Sequence, residues 1–198
     1  DYKKAAEWYE KAATQGDAGA QNYLGFMYGN GYGVEQDYKK AIEWYEKAAT
    51  QGDAPAQYNL GVMYERGQGV KQDYKKAIEW YEKAANQGHA KAQFILGDMY
   101  SSGQGVRQDY KKAAEWYEKA ATQGDASAQN NLGDLYRHGN GVTQNFQKAK
   151  EWYEKAAAQG NENAQYNLGH MYENGIGVRY DIFKAIDWYK KSANQGNI

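Results

Sequence analysis

The sequence predicts an all-α protein built from repeated pairs of helices. The motif Asp-Tyr-Lys-Lys occurs at residues 1, 37, 73 and 109, which sets a period of 36 residues. Each period holds two segments with apolar residues at three-and-four spacing, the spacing of an amphipathic helix. The 198 residues include 23 Gly and a single Pro, a composition that suits helices joined by glycine-rich turns. We therefore expect about 11 helices in a repeat array.

The period also predicts how the chain divides into units. Each full unit holds a first helix, called helix A, and a second, called helix B, while residues 1–16 supply a helix B alone. One array covering residues 1–198 is expected. Its full units are residues 17–52, 53–88, 89–124, 125–160 and 161–196.

Capping residues mark the predicted helix ends. Asp53 and Asp73 precede a helix A and a helix B, where their carboxylates can accept from the free backbone N–H groups of the first turn. Pro55 falls in the first turn, where its missing N–H costs little. Each helix B runs into Gln-Gly, such as Gly88, because glycine tolerates the left-handed conformation that ends a helix.

The B helices are predicted to be structural. Residues 1–16 recur letter for letter at residues 109–124, as expected of a helix whose surroundings repeat. Glu43 and Lys47 lie one turn apart, so we expect them and their equivalents in the other B helices to form ion pairs on the solvated face. The buried stripe of one such helix comprises Tyr38, Ala41, Ile42, Tyr45, Ala48 and Ala49.

Two motifs run through the units: Ala-x-Ala-Gln-x-x-Leu-Gly-x-Met-Tyr-x-x-Gly-x-Gly-Val and Asp-Tyr-x-Lys-Ala-x-x-Trp-Tyr-x-Lys-Ala-Ala-x-Gln-Gly. Together they resemble the Sel-1-like repeat, a relative of the tetratricopeptide repeat. The resemblance covers the whole chain. It implies a right-handed superhelical solenoid of antiparallel helix pairs, A helices on the concave side and B helices on the convex side. It also implies a scaffold or adaptor role, with no common catalytic residues. Some members carry disulfides, whereas this chain has no Cys.

Comparison of the five A helices separates fixed from variable positions. The residues at the positions of Ala56, Gln57, Leu60, Gly61 and Tyr64 are identical in every copy. The positions of residues 55, 58, 59, 62, 65 and 66 vary, and at 100° per residue they share an arc of about 120°. We call these six positions of each helix the A face and predict that it binds a partner.

The A face is predicted to be apolar in its first half and polar in its second, which suits an extended or short helical segment of a partner protein. The Asn59 position resembles the tetratricopeptide Asn that bonds the backbone of a bound peptide, although Tyr23 and Ile95 depart from it. Whether Tyr58, Phe94 and Tyr166 line this face or pack on the preceding helix is left open. The candidate partner-binding residues are Tyr23, Phe26, Asn59, Val62, Arg66, Ile95, Asp98, Asn131, Asp134, Arg137, His138, Asn167 and His170.

Two alternatives to a scaffold remain. An inhibitor or immunity-type protein that blocks a partner enzyme would use the same face. A metal-dependent enzyme would need a site, for which Asp134, His138 and His170 are weak candidates because two histidines and a carboxylate could hold Zn²⁺. We expect no catalytic residue and no cofactor. His89 occupies a capping position and is expected to be structural.

The net charge and the hydropathy of the sequence limit the classes of partner that we expect. With 24 basic and 25 acidic residues the net charge is −1, so nucleic acid is not an expected partner. No apolar run approaches the roughly 20 residues that span a bilayer, which predicts a soluble chain without membrane insertion. The chain opens inside a repeat without a targeting segment, and both cytoplasmic and exported or periplasmic locations stay open.

The two ends of the array are further candidate contact surfaces. The first helix B is expected to expose Ala5, Ala6 and Tyr9, and the last to expose Phe183, where Lys is usual. Uncapped ends of a repeat array favour end-to-end self-association.

Overall fold

The computed structural model describes residues 1–193, and in that range it contains eleven α-helices and no strand. This confirms the predicted all-α class and helix number. The A helices are α2 (Ala18–Asn30), α4 (Ala54–Arg66), α6 (Ala90–Ser102), α8 (Ala126–His138) and α10 (Glu162–Asn174). The B helices are α1 (Tyr2–Thr14), α3 (Tyr38–Thr50), α5 (Tyr74–Asn86), α7 (Tyr110–Thr122), α9 (Phe146–Ala158) and α11 (Ile182–Ala193).

The chain forms two compact units. The first comprises residues Asp1–Gln93 and the second begins at Phe94. In the first unit each helix from α1 to α5 packs against the next, and α7 to α11 do the same in the second. The part of α6 that belongs to the second unit packs against α7. That all repeats form a single array stays a prediction.

The predicted caps are present at both ends of the helices. Asp53 Oδ1 accepts from the backbone N–H of Ala56 at 2.7 Å, and Asp73 Oδ1 accepts from Lys75 and Lys76 at 3.0 and 3.1 Å. After α4, Gly67 adopts φ 66°, the left-handed conformation that glycine reaches without strain. Local sequence therefore determines where these helices begin and end.

A buried glutamine links consecutive helices in both units. Gln57 is 5% exposed, its Nε2 donates to the Ala49 carbonyl at the end of α3, and its Oε1 accepts from Gln87 after α5 at 2.8 Å. In the second unit, Gln129 makes the same bonds to Ala121 and Gln159. Because the amide is satisfied on both sides, its burial carries no desolvation penalty from an unmade bond.

Helices A and B approach each other closely where a glycine of helix A lies under a tyrosine ring of helix B. A methyl group added to Gly61 would lie 2.5 Å from the Tyr81 ring, and the equivalent glycines of α2, α6, α8 and α10 are equally tight. Only a residue without Cβ permits this approach. The recurring glycine of helix A is therefore a packing residue.

The expected ion pairs of the B helices are not formed. In the described residues no ion pair joins Glu43 to Lys47 or any equivalent pair; instead the Lys47 ammonium lies over the Trp44 ring, 3.9 Å from its centroid. An exposed ion pair contributes little, whereas the lysine stem covers the indole while its charge meets the π face. The same contact joins Lys11–Trp8, Lys83–Trp80, Lys119–Trp116, Lys155–Trp152 and Lys191–Trp188.

The terminal helices differ in part from expectation. Ala6, predicted to be exposed, is only 5% exposed because α2 packs on α1, and Tyr9 is half-buried and stacks on Tyr23 with centroids 5.2 Å apart. Phe183 is 78% exposed, as predicted. End-to-end association stays a prediction.

Two glycines of α2 provide a test of the close approach. The Gly25→Ala methyl would lie 2.7 Å from the Tyr45 ring, so we expect a loss of about 1–3 kcal/mol in the free energy of unfolding. The control, Gly29→Ala, places its methyl 3.7 Å from Ala41 Cβ and should be neutral or stabilising by up to about 1 kcal/mol. Urea unfolding measures both, and equal effects would contradict the packing role.

Candidate functional site

The A face carries the candidate residues on one side of each helix A. Their side chains are half-buried or exposed, in contrast to buried fixed positions such as Leu60 and Gly61. One variable position departs from this division, since Asn130 is only 6% exposed. In the first unit the residues are Tyr23, Phe26, Asn59, Val62 and Arg66. In the second they are Ile95, Asp98, Asn131, Asp134, Arg137, His138, Asn167 and His170.

Each tyrosine that covers a glycine in the second unit also reaches the A face with its hydroxyl group. Tyr117 donates to Asp98 at 2.6 Å and Tyr153 donates to Asp134 at 2.7 Å. Burial of the rings raises the pKa of both tyrosines, and the hydrogen-bonded carboxylates raise it further. These phenols therefore stay protonated and keep donating well above neutral pH.

The same arrangement uses glutamate in two other repeats. Tyr81 donates to Glu65 in the first unit, and Tyr189 donates to Glu173 in the second. Burial is the main cause that raises the pKa of each tyrosine. The first repeat has no such carboxylate. Phe26 lies at the position equivalent to Asp98 and Asp134, and Gly29 lies at the position equivalent to Glu65 and Glu173.

Sequence reasoning missed these tyrosine–carboxylate pairs, although a signal was present. Asp98 and Asp134 lie at the positions of their repeats that are equivalent to Val62. Glu65 and Glu173 lie three residues after that position in their own repeats. Repeats two to five thus each carry one carboxylate at one of two positions a helical turn apart, which are on the same face. The tyrosine needs one acceptor and either position supplies it.

The asparagines predicted to hold a peptide also connect neighbouring A helices. In the second unit Asn131 donates to Asp98 at 3.2 Å, and Asn167 donates to Asn130 Oδ1 at 3.0 Å. In the first unit Asn59 donates to Asn22 at 2.9 Å. These amide N–H groups are thus engaged within the protein, and the carbonyl oxygens of Asn59 and Asn167 are the groups these side chains offer a partner.

The two histidines of the A face are arranged around an arginine. The Arg137 terminal nitrogens lie 3.3 Å from His170 Nδ1 and 3.3 Å from His138 Nε2. His138 Nδ1 lies 2.9 Å from the Asp134 backbone carbonyl, so this nitrogen carries the proton and Nε2 accepts from Arg137.

This geometry argues against the metal alternative. A guanidinium occupies the space between the two imidazoles, and the Asp134 carboxylate accepts from Tyr153 at 2.7 Å. Across residues 1–193 no group of three or more His, Asp or Glu side chains is placed to hold a metal ion. The Zn²⁺ interpretation of Asp134, His138 and His170 is therefore not supported by the structure.

His89 has the structural role expected of it. Its Nδ1 accepts from the backbone N–H of Ala92 at 3.2 Å and caps α6. Its ring stacks on Tyr58 at 4.7 Å between centroids. Burial lowers the pKa of His89, which keeps the imidazole neutral and able to accept this bond.

The aromatic position left open by the sequence packs against a tyrosine of the following helix. Tyr58 lies 5.8 Å from the Tyr81 ring centroid, Phe94 6.1 Å from that of Tyr117, and Tyr166 5.4 Å from that of Tyr189. These rings contact the tyrosine that donates to the carboxylate. They therefore border the A face and also support it.

A cavity opens on the A face of each unit. The cavity of the second unit has a volume of about 490 Å³ and that of the first about 230 Å³. The second is lined by Asp98, Ser101, Ser102, Tyr110, Tyr117, Asn131, Asp134, Leu135, His138 and Asn140. The first is lined by Phe26, Gly29, Asn30, Gln36, Tyr38, Tyr45, Asn59, Val62, Met63, Arg66 and Gln68.

The first unit also presents exposed aromatic rings. Tyr23 is 55% and Phe26 44% exposed. The Tyr32 ring stacks on Tyr2 at 5.1 Å and lies 5.7 Å from Phe26. Apolar anchors predicted for this part of the chain are thus accessible.

None of the described helices combines the length and the apolar character needed to cross a membrane.

The fold and this face define an α-helical repeat protein with one variable surface per repeat. The family model described as Sel1 repeat matches residues 1–17, 18–53, 54–89, 90–125, 126–161 and 163–197. The chain belongs to the Sel1 repeat family.

Solved structures agree with this assignment. A protective antigen present in uropathogenic Escherichia coli strains, displaying an SLR fold, is 44% identical over 100% of this chain with a TM-score of 0.96. This chain spans 42% of that antigen. A Sel1 repeat protein from Oxalobacter formigenes is 40% identical, with 99% of this chain and 78% of that chain covered and a TM-score of 0.92. The predicted α-solenoid class is therefore confirmed.

A more distant structure is an immunity protein from Pseudomonas aeruginosa. It is 25% identical, the match covers 98% of this chain and 74% of that one, and the TM-score is 0.56. No curated protein matches the chain.

Removal of one phenol tests the tyrosine–carboxylate pairs. Tyr153→Phe leaves Asp134 without its shortest donor, so we expect about 1–2 kcal/mol less stability near neutral pH. Tyr180→Phe, at an exposed ring in the same unit, is the control and should change little.

The same variant has a predictable pH dependence. The folded pKa of Tyr153 is raised, so above the ordinary value of about 10 the unfolded chain loses this proton first and stability falls as pH rises. Between about pH 8 and pH 11 the wild type should lose about 1 kcal/mol more stability than Tyr153→Phe. Equal losses in urea unfolding would contradict the raised pKa.

Proposed function

We propose that the chain is a protein-binding scaffold or adaptor whose A face holds a segment of a partner protein. The observation that carries this proposal is the cavity of the second unit, where carboxylate, amide, hydroxyl and imidazole groups line about 490 Å³ on the face that varies between repeats. The fixed positions are used in packing, and most of the variable side chains, with Asn130 as the exception, are exposed or half-buried. A binding role, not catalysis, fits this division.

The polar groups of the second unit suit an extended polypeptide. An extended segment presents backbone N–H and C=O groups without partners, and Asn side chains pair with such groups. Asn167 keeps its carbonyl oxygen available because its N–H groups point to Asn130 and Asp134. The internal bonds hold this side chain in one orientation, which lowers the entropy cost of binding.

The first unit supplies apolar contacts. Tyr23 and Phe26 are exposed, and Phe26 also lines the smaller cavity together with Val62. Aromatic rings of this kind bury large areas at interfaces and often dominate binding energy. We expect an apolar side chain of the partner to contact this unit.

Peptides selected from a random library on the immobilised chain test where binding occurs. Asn131→Ala combined with Asn167→Ala should weaken peptides that bind the second unit by about fivefold or more, because the Asn167 oxygen loses a contact of about 1 kcal/mol and the Asn131 amide no longer holds Asp98 and Asn130 in place. Tyr23→Ala with Phe26→Ala should weaken peptides that bind the first unit.

The matched control changes the opposite side of the same unit. Glu115→Ala with Glu118→Ala removes two exposed side chains of α7 and should leave peptide affinity unchanged. Affinity is measured by calorimetry after thermal unfolding shows that each variant is folded. Equal binding by the A-face variants and the wild type would overturn the proposal.

A second candidate function is an inhibitor or immunity-type protein that blocks a partner enzyme. The observation that favours it is the fold shared with the Pseudomonas aeruginosa immunity protein at 25% identity. The same A face would then cover an active site.

Co-expression with an enzyme whose activity stops cell growth tests that alternative. If the chain is an immunity-type protein, the wild type restores growth and Asn131→Ala with Asn167→Ala does so less well. The Glu115→Ala and Glu118→Ala variant should protect like the wild type. Growth unaffected by the presence of the chain would contradict the alternative.

A further inference from the structure

Arg137 lacks a carboxylate partner in a protein with abundant acidic residues. Within residues 1–193 no ion pair involves Arg137, and its terminal nitrogens contact only the imidazoles of His138 and His170 at 3.3 Å. Its Nε is buried and has no hydrogen-bond partner among the described residues. The two terminal nitrogens of a guanidinium carry four N–H groups, and these contacts use only two of them.

The carboxylate on the same helix, that of Asp134, forms no ion pair with Arg137 in the described residues. Asp134 accepts from Tyr153 at 2.7 Å and Asn130 at 3.3 Å, with a longer contact from Asn167 at 3.5 Å. Its oxygens are thus held by neutral donors. The positive charge of Arg137 is left without direct neutralisation on the A face.

The imidazole contacts define which nitrogens can still donate. Because Arg137 donates to His170 Nδ1, the neutral ring of His170 carries its proton on Nε2. No other polar contact of the His170 side chain is formed in the described part of the chain. His170 therefore orients the Arg137 guanidinium from one side and His138 from the other, and the two remaining N–H groups of its terminal nitrogens have no partner in the described residues.

We infer that the Arg137 guanidinium, positioned by His138 and His170, forms a binding site for an oxyanion, a carboxylate or phosphate group presented by the partner. The guanidinium fork matches the two oxygens of such a group, and hydrogen bonds between charged partners are stronger than neutral ones. The second unit thus takes an acidic group of the partner at this point. This inference rests on the proposed function, since it names the chemistry of the group that the A face receives.

Titration with acetate and with inorganic phosphate at constant ionic strength tests the site without any partner. The Arg137 Nε–H and His170 imidazole signals are followed by NMR, and saturable shifts are expected. A response to acetate alone assigns the site to carboxylates, and a response to phosphate alone assigns it to phosphate groups. If both anions give a response, the site accepts both classes. Absence of saturation with both anions overturns the inference.

Substitutions of single residues show where on the protein the anion binds. Arg137→Gln should weaken the responding anion by about tenfold or more, and Arg137→Lys, which keeps the charge but loses the fork, by less. His170→Ala should also weaken it, while Arg107→Gln, at an exposed arginine of a linker, should not. If Arg137→Gln is unfolded, Arg137→Lys and His170→Ala decide. Equal affinity in wild type and these variants overturns the inference, whereas failure of the peptide experiment alone bears on the proposed function.

Discussion

The contact between a glycine of helix A and a tyrosine ring of helix B is the constraint on which the other features depend. The Tyr81 ring lies so close to Gly61 that a single methyl group would overlap it. This approach brings the two helices together and buries the ring, but it also directs the phenol hydroxyl to the A face. Because a buried hydroxyl without a partner is costly, a carboxylate of the A face accepts from it in repeats two to five, as Glu65 does for Tyr81. Packing and surface chemistry are therefore coupled within each such repeat.

This coupling explains why the carboxylates of the A face are poor candidates for metal binding or catalysis. Asp98 and Asp134 each accept a tyrosine hydrogen bond, and Asn131 and Asn167 of the following A helices donate to them as well. Their role is to satisfy buried donors and to join repeats. The groups left for a partner are amide oxygens, exposed aromatic rings and the guanidinium of Arg137, which are typical of protein recognition.

Family membership constrains the architecture more than the function. The chain shares its fold with an Escherichia coli antigen of which it spans 42%, and less closely with an immunity protein from Pseudomonas aeruginosa. A scaffold of similar B helices can carry different A-face residues, provided that a carboxylate stays within reach of the buried tyrosine in repeats two to five. Function in such a protein lies in the residues presented and has to be argued from the site.

The sequence by itself determined the helices, their caps, the recurring glycines and the division between fixed and variable positions, because these depend on spacing of 3.6 residues and on local backbone chemistry. Tertiary structure decided which side chains meet. Lys47 contacts Trp44 and not Glu43, Ala6 is buried by α2, and the asparagines bond across A helices. These outcomes depend on distances between helices and on competition between solvent and neighbouring side chains, neither of which is encoded in the period of one helix.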